Sequence, residues 1–157
     1  DAILKPGGWN IGIGGFGEVL PYEDNRMTLD YDKLDSWGLP TITFDADLQE
    51  NEFNMRKDMQ QSAIEMLEKA GVRDVKGHDG PAGLGLGIHE MGTARMGRNS
   101  KTSVLNGNNQ LHDVPNVYVT DGAFMASAAC VNPSLTYMAF TARAADHAVK
   151  ELKKGNI

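Results

Sequence analysis

The sequence has little cysteine and little positive charge, and it has no long apolar run. Cys130 is the only cysteine, and 15 lysines and arginines face 21 aspartates and glutamates in the 157 residues. One cysteine excludes an internal disulfide and a thiolate metal cluster, and no other metal-ligand spacing is present. The net charge of −6, with scattered basic residues, argues against a nucleic-acid or anionic-membrane partner. No apolar run approaches the ~20 residues needed to span a bilayer, so we expect no membrane span.

The start of the chain lacks both a methionine and the basic-then-apolar pattern of a signal peptide. We therefore expect a fragment or a processed product, in which case the missing signal leaves the cellular compartment open. Hydrophobic content of 41% and charged content of 23% are ordinary for a soluble globular protein. A chain of this length can bury a core of its own, so composition alone predicts one domain.

Glycine is abundant, with 18 residues. Gly12, Gly14 and Gly17 match G-x-G-x-x-G, the loop that holds a dinucleotide pyrophosphate. That loop needs a buried strand before it and a helix after it. Pro21 falls inside the required helix, where it would remove an amide donor and clash with the preceding turn. We predict no phosphate loop here, but a backbone segment packed close to another part of the chain, and the hypothesis of an NAD-dependent enzyme loses its main support.

Alternation of apolar and polar residues predicts strands at Arg26–Tyr31 and Thr41–Asp45, joined by a turn in Ser36–Pro40. A helix is predicted over Asn51–Ala70, with Asn51 as its N-cap. Gly71 supplies the left-handed residue that ends it.

The second half of the chain predicts one short strand, Val117–Thr120, and one long helix, Pro133–Lys153, ending at Gly155. Asn132 is a typical N-cap residue, and proline suits the first helical position because its missing amide would be unpaired there. The free amides and the positive dipole end of such a helix suit an anion or an electron-rich ring.

Three motifs follow one another in the second half of the chain. H-x-x-G-T-x-x-M-G stands at His89, Gly92, Thr93, Met96 and Gly97. The predicted strand ends in Asp121-Gly122, and N-P-x-x-T-x-x-A follows at Asn132, Pro133, Thr136 and Ala139. Each motif alone has an ordinary structural explanation, but their order resembles the C-terminal end of the glucose–methanol–choline (GMC) flavoprotein oxidoreductases.

The resemblance implies an α+β fold that belongs to a larger two-domain protein. Residues 1–80 would form a substrate-domain segment of antiparallel strands and a packed helix. Residues 81–157 would form the active-site loop and the last strand and long helix of a Rossmann-like FAD-binding domain. The remaining N-terminal FAD-domain sequence, with the true dinucleotide fingerprint, would then be the partner of this chain.

The resemblance also implies a reaction, in which an alcohol or sugar hydroxyl is oxidised by hydride transfer to FAD. His89 would be the general base, and Asn132 would bind the same hydroxyl. The implied FAD contacts are Asp121, Gly122, Asn132, Pro133 and Thr136. An alternative is a carbohydrate-binding module of the same fold without cofactor or activity, although the presence of both His89 and Asn132 argues against it.

The remaining histidines and the cysteine have structural interpretations. We expect His78 and His112 to lie in polar loops, and His147 to favour the negative end of the last helix. Cys130 is expected to be buried by packing rather than to line the flavin pocket.

Overall fold

The computed structural model describes residue 5, residues 7–80 and residues 83–157. Its elements in chain order are strand β1 (Arg26–Leu34), strand β2 (Pro40–Asp45), helix α1 (Glu50–Lys69), a short 3-10 helix (Gly122–Phe124) and helix α2 (Ser134–Lys154). The predicted strand pair and both long helices are present, which confirms the α+β composition. Residues 81 and 82, where the predicted domain boundary falls, lie outside the described residues.

Strands β1 and β2 form an antiparallel pair in which Thr28 faces Thr43. The connecting turn is organised by Asp35, whose Oδ1 accepts hydrogen bonds from the Trp37 amide at 2.8 Å and the Leu39 amide at 3.0 Å. This side-chain capping explains why the chain reverses within the predicted turn. The apolar side chains of the hairpin are exposed at Met27, Leu29, Tyr31, Ile42 and Phe44.

Helix α1 begins one residue earlier than predicted, and the predicted N-cap Asn51 is wrong because Gln49 occupies that position. The Glu52 carboxylate reaches back to accept the Gln49 amide at 3.0 Å, as in a capping box. At the other end Gly71 has φ +83°, and the Val72 amide donates to the Leu67 carbonyl at 3.0 Å. The predicted left-handed stop is therefore confirmed.

The glycine-rich segment Gly7–Leu20 has no helix and no strand. A Cβ on Gly17 would lie 2.5 Å from Met55 Cε, and a Cβ on Gly15 would lie 3.0 Å from Met59 Sδ. Both methionines belong to α1, so the backbone packs closely on that helix at Gly15 and Gly17, which confirms the predicted close packing there. A Cβ on Gly12 or Gly14 would meet nothing within 4 Å. The helix that a phosphate loop needs does not follow these glycines.

Glu52 is the buried charge that ties this segment to α1, with 1% of its surface exposed. Its carboxylate accepts hydrogen bonds from the Leu20 amide at 3.2 Å, the Gln49 amide at 3.0 Å and the Tyr22 hydroxyl at 3.0 Å. Burial by itself raises the pKa of Glu52. The hydrogen bonds from Gln49, Leu20, Asn51 and Tyr22 outweigh that effect and lower the pKa from 4.5 to about 2.

The segment Val117–Thr120 is not a strand, so this prediction is wrong. Among the described residues it pairs through the isolated bridge between Gln110 and Tyr118, in which the Val119 amide donates to the Asn109 carbonyl at 2.9 Å and the Leu111 amide donates to the Val117 carbonyl at 3.0 Å. Asn109 has φ +62°, a left-handed conformation that bends the pairing segment and stops a longer ladder. The predicted Rossmann-like strand is therefore not formed among the described residues.

A small core forms between this loop and α2. Leu105 and Asn109 are fully buried. The Asn109 side-chain amide donates to the Val119 carbonyl at 3.0 Å, and its Oδ1 accepts from Arg143 Nη2 at 2.9 Å. Because Arg143 lies on α2 and is stacked 4.4 Å from the Phe140 ring centroid, the buried amide fixes the loop to the helix.

Helix α2 begins at Ser134, with Pro133 rather than Asn132 at the N-cap, so the predicted cap Asn132 is wrong. The Pro133 carbonyl accepts the Tyr137 amide at 3.0 Å, which is the first bond of the helix. At the C-terminal end Gly155 has φ +74°, as the sequence predicts. Within the described ranges, neither helix is both long and apolar enough to cross a membrane.

Burial of apolar side chains is sparse across the described residues. The buried hydrophobic residues of the described part of the chain are Leu105, Phe124 and Ala144. Trp37 is 83% exposed, Phe16 82% and Ile88 88%. Exposure of such large apolar groups is typical of surfaces that pack against other protein.

We predict that Glu52→Gln lowers the free energy of unfolding at pH 7 by about 1–3 kcal/mol, the value of hydrogen bonds to a charged group. The pKa of Glu52 is lowered in the folded state, so its contribution is present above the ordinary pKa of 4.5 and is lost as the pH falls toward about 2. Urea unfolding at pH 7, 5 and 3 should show the two proteins converging at low pH.

Glu50→Gln is the matched control, since Glu50 is an exposed carboxylate in the same first helical turn. Equal stability of Glu52→Gln and the parent at pH 7 would show that the buried carboxylate does not hold the segment.

Candidate active site

His89 lies half-buried in a tight loop. The Glu90 carboxylate, which directly follows His89, accepts a hydrogen bond from the Gly87 amide on the other side of the histidine at 2.7 Å. Ile88, the residue before His89, takes a left-handed φ of +70°. After it, Gly92 has φ +89°, a conformation that glycine adopts without strain. The loop around His89 is thus shaped by a local hydrogen bond and by two left-handed residues.

The motif loop is paired through its backbone with the turn that follows Asp121. The Ala94 amide donates to the Ala123 carbonyl at 3.0 Å, and the Met96 amide donates to the Phe124 carbonyl at 2.9 Å. One close approach between backbones accompanies these bonds. A Cβ on Gly92 would lie 3.3 Å from the Ala126 carbonyl oxygen.

Gly122 lies where three parts of the chain meet. A Cβ on Gly122 would lie 2.7 Å from Met91 Sδ, 2.8 Å from the Tyr137 hydroxyl and 3.2 Å from the Glu90 carbonyl oxygen. Met91 and Glu90 belong to the motif loop and Tyr137 belongs to α2. The motif loop, the turn and the helix are therefore in direct contact at this residue.

Asp121 caps the short helix at Gly122–Phe124, because its Oδ1 accepts the Ala123 amide at 2.9 Å. The residue is otherwise exposed. The predicted Asp-Gly turn thus has a structural role of its own, and one carboxylate oxygen is used in it.

At the start of α2, Pro133 is buried, Thr136 is half-buried and Asn132 is exposed. The Asn132 side chain makes no hydrogen bond to any other described residue. The first amides of the helix, at Ser134, Leu135 and Thr136, have no acceptor one turn earlier in the helix. An exposed amide side chain and a set of free backbone donors therefore lie together at this helix end.

Three aromatic residues, none of them among the predicted site residues, hold this assembly together. Tyr137 donates from its hydroxyl to Met91 Sδ at 3.5 Å, and Phe124 stacks on Phe140 with ring centroids 4.7 Å apart. Burial, and then the negative charge of Asp121, raise the pKa of the Tyr137 hydroxyl. The position of Tyr137 and Phe140 on the buried face of α2 is the signal that identifies them.

The other histidines have structural partners or lie in a loop. His147 Nδ1 lies 2.9 Å from the Tyr118 hydroxyl, and His112 Nε2 lies 3.1 Å from Ser103 Oγ. The predicted preference of His147 for the negative helix end stays a prediction, since this hydrogen bond does not test it. His78 is exposed in a loop, as expected.

Cys130 is exposed, so its predicted burial is wrong, because no described element covers the stretch before α2. The described residues contain no group of three histidine, cysteine, aspartate or glutamate side chains able to hold a metal ion.

A family model described as GMC oxidoreductase matches residues 21–141. The chain belongs to the GMC oxidoreductase family. All of the predicted site residues lie inside the matched range, whereas the glycine-rich segment at Gly12–Gly17 lies before it.

Individual GMC relatives agree with the family match. The chain is 38% identical over 132 residues to 2-methyl-1,2-propanediol dehydrogenase of Mycolicibacterium austroafricanum, covering 84% of this chain and 24% of that protein. It is 33% identical over 125 residues to paromamine 6'-oxidase of Streptomyces fradiae, covering 80% and 23%. It is 29% identical over 138 residues to the fructose dehydrogenase large subunit of Gluconobacter japonicus, covering 88% and 25%. The chain spans about a quarter of the length of these GMC relatives.

We predict that Gly122→Ala destabilises the assembly by about 1–3 kcal/mol, the usual cost of inserting a methyl group into a filled site. The reason is the contact with the Glu90 carbonyl, since backbone cannot move away as easily as the ends of Met91 and Tyr137. Thermal unfolding measures the loss. Gly107→Ala is the control, because a Cβ there meets nothing within 4 Å. If both variants unfold at the parent temperature, the close packing at Gly122 is wrong.

Proposed function

We propose that this chain forms part of an FAD-dependent oxidoreductase that oxidises an alcohol or sugar hydroxyl. The observation that carries the proposal is the assembly at Gly122, which joins the His89 loop, the Asp121 turn and the start of α2. The names of the GMC relatives, which include a diol dehydrogenase and a fructose dehydrogenase, support an alcohol or sugar as substrate. A carbohydrate-binding module has no comparable support.

The residues at the start of α2 fit the electron-rich edge of a flavin. The free amides of Ser134, Leu135 and Thr136 point out of a helix of 21 residues, whose positive dipole end adds to their effect. Pro133 has no amide to leave unpaired there, and the Thr136 hydroxyl lies in the same turn. When bound, FAD supplies the acceptor for the hydride. These residues would stabilise negative charge at that edge, and Asp121 and Gly122 would contact the ribityl–phosphate region.

His89 is proposed to take the proton of the substrate hydroxyl. A hydride leaves carbon readily only when the hydroxyl oxygen gives up its proton, and an imidazole can accept that proton near neutral pH. The short loop between Gly87 and Gly92 restricts the backbone on both sides of the histidine, which would hold the ring in one place.

Asn132 is proposed to bind the same hydroxyl through its amide. The side chain offers a donor and an acceptor without charge. Since Pro133 occupies the N-cap, the amide of Asn132 is not used in capping the helix. Its exposure leaves both polar atoms available to a ligand.

Further protein sequence is proposed to complete the site. The exposed apolar side chains of the hairpin and of the N-terminal segment support this, because they would be buried only by additional packing. The GMC relatives are about three and a half times as long as this chain, which leaves room for an FAD-binding portion.

We predict that His89→Ala lowers the rate of flavin reduction by about 10²–10⁴-fold, the usual value of a positioned general base. Asn132→Ala should cost less, about 5- to 10-fold, because it removes an uncharged hydrogen bond worth about 1 kcal/mol. Stopped-flow reduction of the bound flavin measures both, with a substrate panel that includes 2-methyl-1,2-propanediol and fructose. Flavin content should stay at the parent value in His89→Ala, because His89 is proposed to contact the substrate rather than the cofactor.

His78→Ala is the matched control, since His78 is an exposed histidine in a loop. Reduction of the His89→Ala flavin at the parent rate would show that His89 is not the base. Loss of the flavin from this variant would show instead that His89 has a structural role.

A further inference from the structure

The stretch 126–132, which leads to Asn132, has no regular secondary structure. Among the described residues it makes one hydrogen bond, in which the Ser127 hydroxyl donates to Glu18 Oε1. Backbone bonds resume only at the Pro133 carbonyl, which accepts the Tyr137 amide. The position of this stretch therefore depends on a residue 109 positions away in the sequence.

Glu18 is itself well fixed. It is half-buried and lies between Gly17, whose backbone packs on Met55, and Leu20, whose amide donates to the buried Glu52. Through these contacts the segment is attached to α1. The bond between Ser127 and Glu18 is also the one hydrogen bond that joins residues 7–80 to residues 83–157 in the part of the chain described.

The opposite end of the stretch lies beside the motif loop. The Ala126 carbonyl faces Gly92 closely enough that a Cβ on Gly92 would be 3.3 Å away. Ser127 is the next residue. Because Ala126 is held by this packing, a displacement of Ser127 would be carried into the chain that leads to Asn132.

We propose that Glu18 is a positioning residue that holds Asn132 in place through Ser127. The inference rests on the proposed function of Asn132. A carboxylate acceptor makes this bond stronger than a hydrogen bond between neutral groups. One such bond can set the position of a short irregular stretch that has no other. A small misplacement of a group that binds substrate is enough to lower the rate of reaction.

The mobility of the stretch tests the bond directly. A nitroxide attached to Cys130, which is exposed and lies two residues before Asn132, reports this mobility in the electron paramagnetic resonance spectrum of the full protein. Glu18→Ala and Ser127→Ala should each sharpen the spectrum. Glu18→Gln, which keeps an acceptor oxygen, should lie between them and the parent. Glu23→Ala, an exposed carboxylate five residues along, is the control and should leave the spectrum unchanged.

Kinetics of the unlabelled protein test the dependence on Asn132. Glu18→Ala should slow flavin reduction by no more than Asn132→Ala does, about 5- to 10-fold, because it acts through that residue. In the double variant the two effects should not multiply. Glu18→Gln should recover part of the lost rate.

An unchanged nitroxide spectrum in both Glu18→Ala and Ser127→Ala would overturn the proposal. So would a double variant in which the two losses multiply fully, because Glu18 would then act independently of Asn132. If the function proposed for Asn132 is wrong instead, the single variant Asn132→Ala will leave the rate of flavin reduction unchanged. The Glu18 variants will still sharpen the nitroxide spectrum in that case.

Discussion

The absence of a side chain at Gly122 is the constraint on which the proposed site depends. The motif loop, the turn after Asp121 and α2 meet there at distances that leave no room for a Cβ. Two backbone hydrogen bonds, from Ala94 and Met96, then align the loop with the turn. The contact with the Glu90 carbonyl and the two hydrogen bonds involve backbone atoms, so they fix the loop against the turn more strictly than contacts between flexible side chains would. Helix α2 joins them through the Tyr137 side chain.

Buried polar groups provide much of the order in this chain, since few apolar side chains are buried. Glu52 joins the glycine-rich segment to α1, and Asn109 joins the long loop to Arg143 of α2. Each is fully satisfied by hydrogen bonds, and the described residues leave no buried side-chain nitrogen or oxygen without a partner. A satisfied buried network specifies one arrangement, whereas an unsatisfied one would be costly. Buried polar side chains such as Glu52 and Asn109 can therefore fix the position of loops that have no regular secondary structure.

Local signals in the sequence identified the hairpin, both long helices and their glycine stops. They failed where a distant contact decides the outcome. Asn51 is a good N-cap residue, but Glu52, which is held by the distant Leu20 amide and Tyr22 hydroxyl, also accepts the Gln49 amide, and the helix starts there. Val117–Thr120 has strand composition, yet its one partner bends at Asn109. Propensity describes a residue and its near neighbours, and it cannot show which segment will lie beside them.

In the candidate site, too, the sequence motifs predicted some features and missed those that depend on distant contacts. The motifs of the second half placed the chain in the GMC family, and they include the close contacts at Gly92 and Gly122. The motifs did not reveal Tyr137, which joins the loop to α2, or Glu18, which lies outside the matched residues 21–141. A side chain that acts through one long-range hydrogen bond leaves no pattern in its own neighbourhood.

The corrected start of α2 bears on the chemistry proposed for Asn132. An asparagine at an N-cap uses its side-chain oxygen to accept a backbone amide of the first turn. In this structure Pro133 holds that position, so the Asn132 side chain and the first helical amides both remain available. The side chain would then serve the substrate hydroxyl and the amides would serve the flavin edge, without competition between the two. A residue released from capping also loses the restraint that capping gives. The bond from Ser127 to Glu18 supplies a restraint from outside the helix, which leaves the polar atoms of Asn132 unoccupied.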